Sequence, residues 1–262
     1  MGIKTYIEKK QLPIKYRKYN LIPTTNGVMA TVYLLDNIFV LKLFEKETSL
    51  ETIDSEIKLL NSLILLPIPK VIDRFKINGL EAIIYTQIQG DIIFNPNINQ
   101  IKEIATFLKK FHNQTRYIKI KNQELFTKER LKELIDLTKN KRLLKEFNII
   151  NITLKRDGVI HGDLFMDNCK FKDNSLSGVY DFSDACLGDF YFDLAVITIS
   201  SCFNGSILDK EKVEALLGGY GANIKIEIFY EYIKYALLYY ATTRFLSNRD
   251  YFELLELLDN FN

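Results

Sequence analysis

Residues 159–182 gather glycines, acids and an amide into one short β-rich block, and this block constrains the fold more than any other feature of the chain. It reads Val159-Ile160-His161-Gly162-Asp163-Leu164-Phe165-Met166-Asp167-Asn168 and continues through Phe171, Ser177, Gly178 and Tyr180 to Asp181 and Phe182. Asn168 and Asp181 stand 181 − 168 = 13 positions apart, room for a strand, a turn and a return strand, so a tight hairpin brings both to the same end. Asp163 and Asn168 form the spacing D-x-x-x-x-N. Two carboxylates and an amide oxygen so gathered suit phosphoryl transfer. One carboxylate orients an attacking hydroxyl and accepts its proton; the other, with the amide, holds a hard divalent cation through oxygen donors.

The flanking sequence divides unevenly. Residues 31–35 and 38–44 are β-branched and aromatic with Asp36-Asn37 between them, which predicts a hairpin. Ile53, Ile57, Leu60 and Ile64 recur at helical spacing and predict a helix over 49–66, ended by Pro67 and Pro69. Residues 71–75 and 80–87 predict a second strand pair, turning at Asn78-Gly79. Beyond Gly90 the pattern becomes helical. Residues 99–112 carry Ile101, Ile104, Ala105, Leu108 and Phe111 on one face, residues 127–150 read as helical and charged, and helices are expected again from Phe190 onward. The acidic tail from Glu253 to Asp259 reads as a terminal helix whose leucines pack. The expected fold class is therefore α+β in two lobes: a β-rich N-lobe with one main helix (1–86), a hinge (87–91) and a larger, mostly α C-lobe (92–262).

Composition narrows the partners. A formal net charge of +2 gives no strong field for nucleic acid or membrane, and no apolar run reaches the ~18 residues of a membrane span. Cys169, Cys186 and Cys202 are odd in number and lack C-x-x-C spacing, so reduced thiols in a cytoplasmic protein are expected. With only two histidines and no ligand-spaced cysteines, a zinc site is not expected.

His161-Gly162-Asp163-Leu164, Asn168, Asp181-Phe182, Gly188-Asp189 and Asp193-Leu194-Ala195 together resemble the signature of the aminoglycoside phosphotransferase and choline kinase-like superfamily, whose members share the two-lobed protein-kinase-like fold. The resemblance implies an enzyme using ATP and Mg²⁺, with Asp163 as catalytic base, Asn168 and Asp181 as metal ligands, and Asp193 as a structural acid bracing the loop. Phe165, Asp167, Ser177-Gly178 and Ala185-Cys186 are similar to the homoserine kinase branch, as is the helix around Ala241-Thr242-Thr243-Arg244-Phe245-Leu246. Homoserine is accordingly the expected acceptor. An aminoglycoside, choline, a sugar or methylthioribose are the alternatives, and a nucleotide-binding regulator without turnover is the reading from another class.

Further residues follow from that expectation. Lys42, in a predicted strand, faces either solvent or a cleft; with Glu56 in the next helix it resembles the lysine–glutamate pair that kinase folds set on the phosphates. Thr25, Asn26 and Gly27 form a turn able to cradle phosphate through backbone N–H groups, and Gln87 and Ile88 are placed to offer backbone groups to adenine. His161 is expected to hold the loop, and His112 to cap or pack. Arg244, in an apolar stretch of helix, suits a substrate carboxylate or an internal salt bridge. Asp184 and Asp189, with Asp163, are candidates for the acceptor side, the first two for a substrate ammonium. The chain is expected to be a monomer or homodimer.

Overall fold

A computed structural model describes residues 4–24 and 30–261 of the 262. Among them, one antiparallel five-stranded sheet carries the first part of the chain, in the order β1-β2-β3-β5-β4. Its strands are β1 (Leu21–Pro23), β2 (Ala30–Leu35), β3 (Phe39–Phe44), β4 (Val71–Ile77) and β5 (Leu80–Thr86), with α1 (Leu50–Ser62) inserted between β3 and β4. The expected turns are where the sequence puts them. Asp36 and Asn37 have φ of 47° and 55°, and Asn78 and Gly79 have 52° and 82°. Two successive left-handed residues give the turn whose twist matches antiparallel strands, and Asn, Asp and Gly tolerate it at least cost.

The helix α1 starts as expected, with the Ser49 side chain accepting from Thr52 N–H, but ends four residues early. Its buried face is Ile53, Ser55, Glu56, Leu59 and Leu60, and Ile64 lies outside it, exposed. Gln114 is the physical reason. Its amide donates to the Ile64 carbonyl at 2.9 Å and accepts from the Ile64 N–H at 2.8 Å, drawing that residue out of the helix.

The second part is mainly helical. The helix α2 (Ile98–Thr115) opens with a reciprocal cap between Asn97 and Gln100 and buries the predicted apolar face. The region 127–150 is not one helix but two, α3 (Lys128–Thr138) and α4 (Lys141–Ile149), because Lys139 turns left-handed (φ 54°) and Asn140 caps the second. Then come β6 (Gly158–Ile160), β7 (Cys169–Lys172), β8 (Ser175–Val179) and β9 (Cys186–Gly188). The first pairs with the last, and β7 with β8 in a hairpin turning on Asp173 and Asn174 (φ 50° and 66°). The chain continues with the almost wholly buried α5 (Phe190–Ser201), a small hairpin of β10 (Phe203–Asn204) and β11 (Ile207–Leu208), then α6 (Lys210–Tyr220), α7 (Ile226–Leu246) and α8 (Phe252–Asp259). In α8, Leu254, Leu255, Leu257 and Leu258 pack as expected. No helix of the described residues is long and apolar enough to cross a membrane.

Two cores result. The outer face of the sheet, with Leu35, Leu41, Leu43, Ala82 and Ile84, is covered by Ile7, Leu12 and Tyr16 from the N-terminal segment. The inner face, with Phe44, Ile83 and Tyr85, joins α1 and the helical part in a single larger core. The link between the two parts is tied down: Asp91 and Phe171 exchange backbone hydrogen bonds, both at 2.8 Å. Gly90 (φ 114°) permits the approach, since a Cβ there would lie 2.3 Å from the Phe171 carbonyl oxygen.

Candidate active site

Lys42 owes its direction to the alternation of β3. Leu41 and Leu43 point to the outer core, so Lys42, between them, points inward. Its Nζ lies 3.2 Å from Glu56 Oε2 and 3.0 Å from Asp181 Oδ1, and it also donates to the Ser183 hydroxyl. Tyr85 in turn donates its hydroxyl to Glu56 at 3.0 Å. Burial opposes the charge on Lys42, but Asp181 and then Glu56 outweigh it and hold the ammonium above the ordinary lysine range. Burial would likewise raise Asp181, yet Lys42 and the Ser183 hydroxyl prevail and its pKa falls to about 2.

The loop between β6 and β7 hangs on one carboxylate. Asp193, buried in α5, accepts the N–H of His161 on Oδ2 and the N–H of Gly162 on Oδ1, each at 2.8 Å, and contacts His112 Nε2 at 2.8 Å. His112 is further held by the Tyr220 hydroxyl at 3.0 Å and stacks on Phe190 at 4.1 Å between ring centroids. His161 donates Nε2 to the Tyr180 carbonyl at 3.1 Å and accepts the Asp163 N–H on Nδ1 at 3.3 Å. Burial lowers its pKa, so the neutral ring that this pattern requires is also the favoured form. With both nitrogens engaged, His161 is suited to bracing rather than to proton transfer. Gly162 adopts φ 82°, where a Cβ would lie 2.2 Å from the Phe126 ring.

Beyond that loop the acids collect. Asn168 donates Nδ2 to the Asp163 carbonyl at 2.8 Å and lies 3.5 Å from Asp163 Oδ2. Burial first, then Asp184, Asp181 and Asp167, push Asp163 well above the usual carboxylate range, and the Tyr240 hydroxyl works the other way. Asp184 is pushed up to about 6 by burial and by Asp181. Asp167 is raised by burial, with Arg244 close enough to oppose the shift. Tyr240 also donates to the Gly162 carbonyl.

Most of the expected residues therefore converge, and some do not. Lys42, Glu56 and Asp181 meet directly, and Asn168 is bonded to Asp163. The chain end of β7–β8 that holds Asn168 also holds Asp181, since Tyr180 N–H donates to the Asn168 carbonyl at 3.1 Å. Arg244 makes no salt bridge among the described residues, which removes the internal-bridge alternative. Asp189 is a correction: it caps α5 through Tyr191 N–H and accepts Lys155 N–H at 2.7 Å and the Tyr232 hydroxyl at 2.8 Å, and it is 2% exposed. With its oxygens so occupied it has nothing to offer a ligand. Gln87 is a partial correction, because its backbone N–H is taken by the Ile38 carbonyl at 3.0 Å, leaving only its carbonyl for a base. Ile88 lays its side chain against Gly178. Thr25, Asn26 and Gly27 lie outside the described residues. Ser183, Tyr85 and Tyr240 were not legible beforehand; each acts through a partner distant in sequence.

A magnesium ion with nucleotide phosphates fits the residues present. Asp181 spends Oδ1 on Lys42 and Ser183 and keeps Oδ2; Asn168 spends its amide nitrogen on Asp163 and keeps its oxygen. Both open atoms are hard oxygen donors, and phosphate oxygens and water supply the rest in sites of this kind.

Residues 21–225 match the phosphotransferase enzyme family. The homoserine kinase of Brucella anthropi is 26% identical over 251 residues, covering 84% of this chain and 77% of that protein. The homoserine kinase of Azorhizobium caulinodans is 47% identical over 66 residues, 25% of this chain and 21% of the relative, so this match spans about a fifth of that protein's length. Among solved structures, the GDP complex of wild-type aminoglycoside 2'-phosphotransferase-IIIa superposes with a TM-score of 0.69 at 18% identity, covering 92% of both chains. At that identity the likeness is one of fold, the two-lobed protein-kinase-like fold that the sequence led us to expect.

Proposed function

Because the chain belongs to the phosphotransferase enzyme family, we propose that it is an ATP- and Mg²⁺-dependent kinase that moves the γ-phosphate to the hydroxyl of a small amino alcohol, with homoserine as the best fit. One observation carries the reading. An ion cluster of Lys42, Glu56 and Asp181 is joined, through the electrostatic coupling of Asp181 to Asp163, to a loop whose Asp163 carbonyl is held by the Asn168 amide. The nucleotide would lie between residues 1–86 and 92–262, with 87–91 as the link. Gln87 Oε1 there is a buried acceptor with no partner among the described residues, and the amino group of a nucleobase would satisfy it.

Lys42 would hold the phosphates, its ammonium now lying between Glu56 and Asp181. Asp163 would fix the acceptor hydroxyl in line and take its proton as the bond to phosphorus forms. The magnesium ion held by Asn168 and Asp181 would neutralise the phosphate oxygens. Asp193 and His161 would keep the loop in register throughout.

The acceptor follows from α7. Tyr240, beside Asp163, and Arg244, beside Asp167, are 244 − 240 = 4 residues apart on one helix face. That is about 6 Å along the axis, a span that suits the few bonds between the hydroxyl and the carboxylate of a four-carbon amino acid. Arg244 would clasp the carboxylate and Asp184 the ammonium. A second reading, an aminoglycoside acceptor, draws on the acids Asp163, Asp167 and Asp184 and on the name of the structural neighbour.

Incubation with ATP, Mg²⁺ and a panel of homoserine, an aminoglycoside, choline, a sugar and methylthioribose, followed by ADP release, tests this directly. Homoserine is expected to give the fastest release. Release only with the aminoglycoside would replace the acceptor, and nucleotide binding without turnover on any acceptor would make the chain a regulator.

A further inference from the structure

Ser183 is the residue of the cleft that nothing in the expected chemistry requires, yet it touches every member of the Lys42 cluster. Its hydroxyl accepts a hydrogen bond from Lys42, donates to Asp181 Oδ1 at 2.7 Å, and lies 3.5 Å from Glu56 Oε2. The local fold brings this contact about. Phe182 is buried against His161 and Phe111, and the residues on either side of it are turned away from that core toward Lys42. Asp181 reaches its place in a left-handed conformation (φ 63°), uncommon for a residue with a side chain. Asn122 then fixes the backbone beyond it, donating to the carbonyls of Ser183 at 3.4 Å and Ala185 at 2.8 Å.

We propose that Ser183 is a positioning residue for nucleotide binding, whose hydroxyl holds the Asp181 carboxylate in its metal-binding orientation once Lys42 has turned to the phosphates. The inference rests on the proposed roles of Lys42 and Asp181. Without a ligand, Asp181 Oδ1 is held twice, by the ammonium and by the hydroxyl. When phosphates draw the ammonium away, the hydroxyl alone keeps that oxygen fixed, and the carboxylate presents Oδ2 without first losing rotational freedom. Once Lys42 has left, the Ser183 hydroxyl is the remaining side-chain partner of that oxygen among the described residues, and an outer partner of this kind orients a metal-binding carboxylate.

The test measures ADP affinity by calorimetry, with Mg²⁺ and with a chelator, for the wild type, Ser183→Ala, Ser183→Thr and Lys42→Ala. Ser183→Ala is expected to weaken ADP binding roughly tenfold when Mg²⁺ is present, the scale of one charge-assisted hydrogen bond, and to leave it within about twofold in chelator. Ser183→Thr keeps the hydroxyl and should restore affinity. In turnover assays the KM for Mg·ATP should rise more than kcat falls. Equal Mg·ADP affinity in Ser183→Ala and wild type, while Lys42→Ala loses binding, would overturn the role of Ser183 alone. Equal loss in the Ala and Thr variants, or equal loss with and without Mg²⁺, would also overturn it by assigning the residue to packing. Unchanged affinity in Lys42→Ala would instead remove the underlying reading of the cleft.

Discussion

The two halves of the candidate site handle charge in opposite ways. Around Lys42, each carboxylate has a counter-charge within about hydrogen-bond reach, and Asp181 titrates far below its ordinary range. Around Asp163, three acids crowd together with one guanidinium nearby, and all three are pushed upward. The first half balances its charge within the chain. In the second, a bound cation would relieve the crowding. A protein can hold such an arrangement when the missing charge is brought by its ligands, and this is how perturbed acids come to mark functional clefts.

That contrast can be broken by substitution, most forcefully at its centre. Asp163→Asn should cut turnover by about 10³-fold or more while ADP affinity, measured by calorimetry, stays near wild type. Full turnover in that variant would remove the assignment of the base. Lys42→Met should expose the dependence of the compensated side on its cation. It leaves Glu56 and Asp181 facing one another, and chemical denaturation should report a loss of about 3 kcal/mol. If Arg244 clasps the substrate carboxylate as proposed, Arg244→Ala should raise the KM for homoserine by roughly tenfold or more with a smaller change in kcat, the pattern of a contact made equally in the ground and transition states.

The smallest effect has the opposite sign to that of Lys42→Met. Asp184 titrates at about 6 in the folded chain against an ordinary 3.8, so the native state binds its proton more tightly than the unfolded state does. Stability therefore falls as pH rises from about 4 to about 6, and the cost is complete above that window. Asp184→Asn should melt roughly 2–4 °C higher than wild type at pH 7.5, and the gain should vanish below about pH 4. A lower melting temperature at pH 7.5 would mean that Asp184 already has a partner.

The turns and the catalytic block were legible because their determinants are local. Asp36-Asn37 and Asn78-Gly79 can hardly do anything but reverse a strand, and the spacing from Asn168 to Asp181 is a hairpin measured in residues. What escaped depends on distant partners. The end of α1 is set by Gln114, fifty positions away, so Ile64 completed a stripe that has nothing to pack against. Whether Lys42 faced solvent or cleft turned on which face of β3 the N-terminal segment covers. Asp189 belongs with the local signals: an acid directly before the apolar run of α5 is an N-cap signal. Ser183 offered no signal at all, because a serine two residues beyond an aspartate is commonplace until Lys42 and Glu56 are brought to it.

The three bonds that converge on Asp193 carry a warning for anyone interpreting natural variation in this chain. Its carboxylate is wholly buried, and the N–H groups of His161 and Gly162 and the ring of His112 all answer to it. A variant altered there would keep Lys42, Asp163, Asn168 and Asp181 and still lose the support of the loop between β6 and β7, and its defect would surface as poor folding and lost activity together. Inactive copies can therefore arise from a buried carboxylate in the first turn of α5, which acts on the loop only through its backbone.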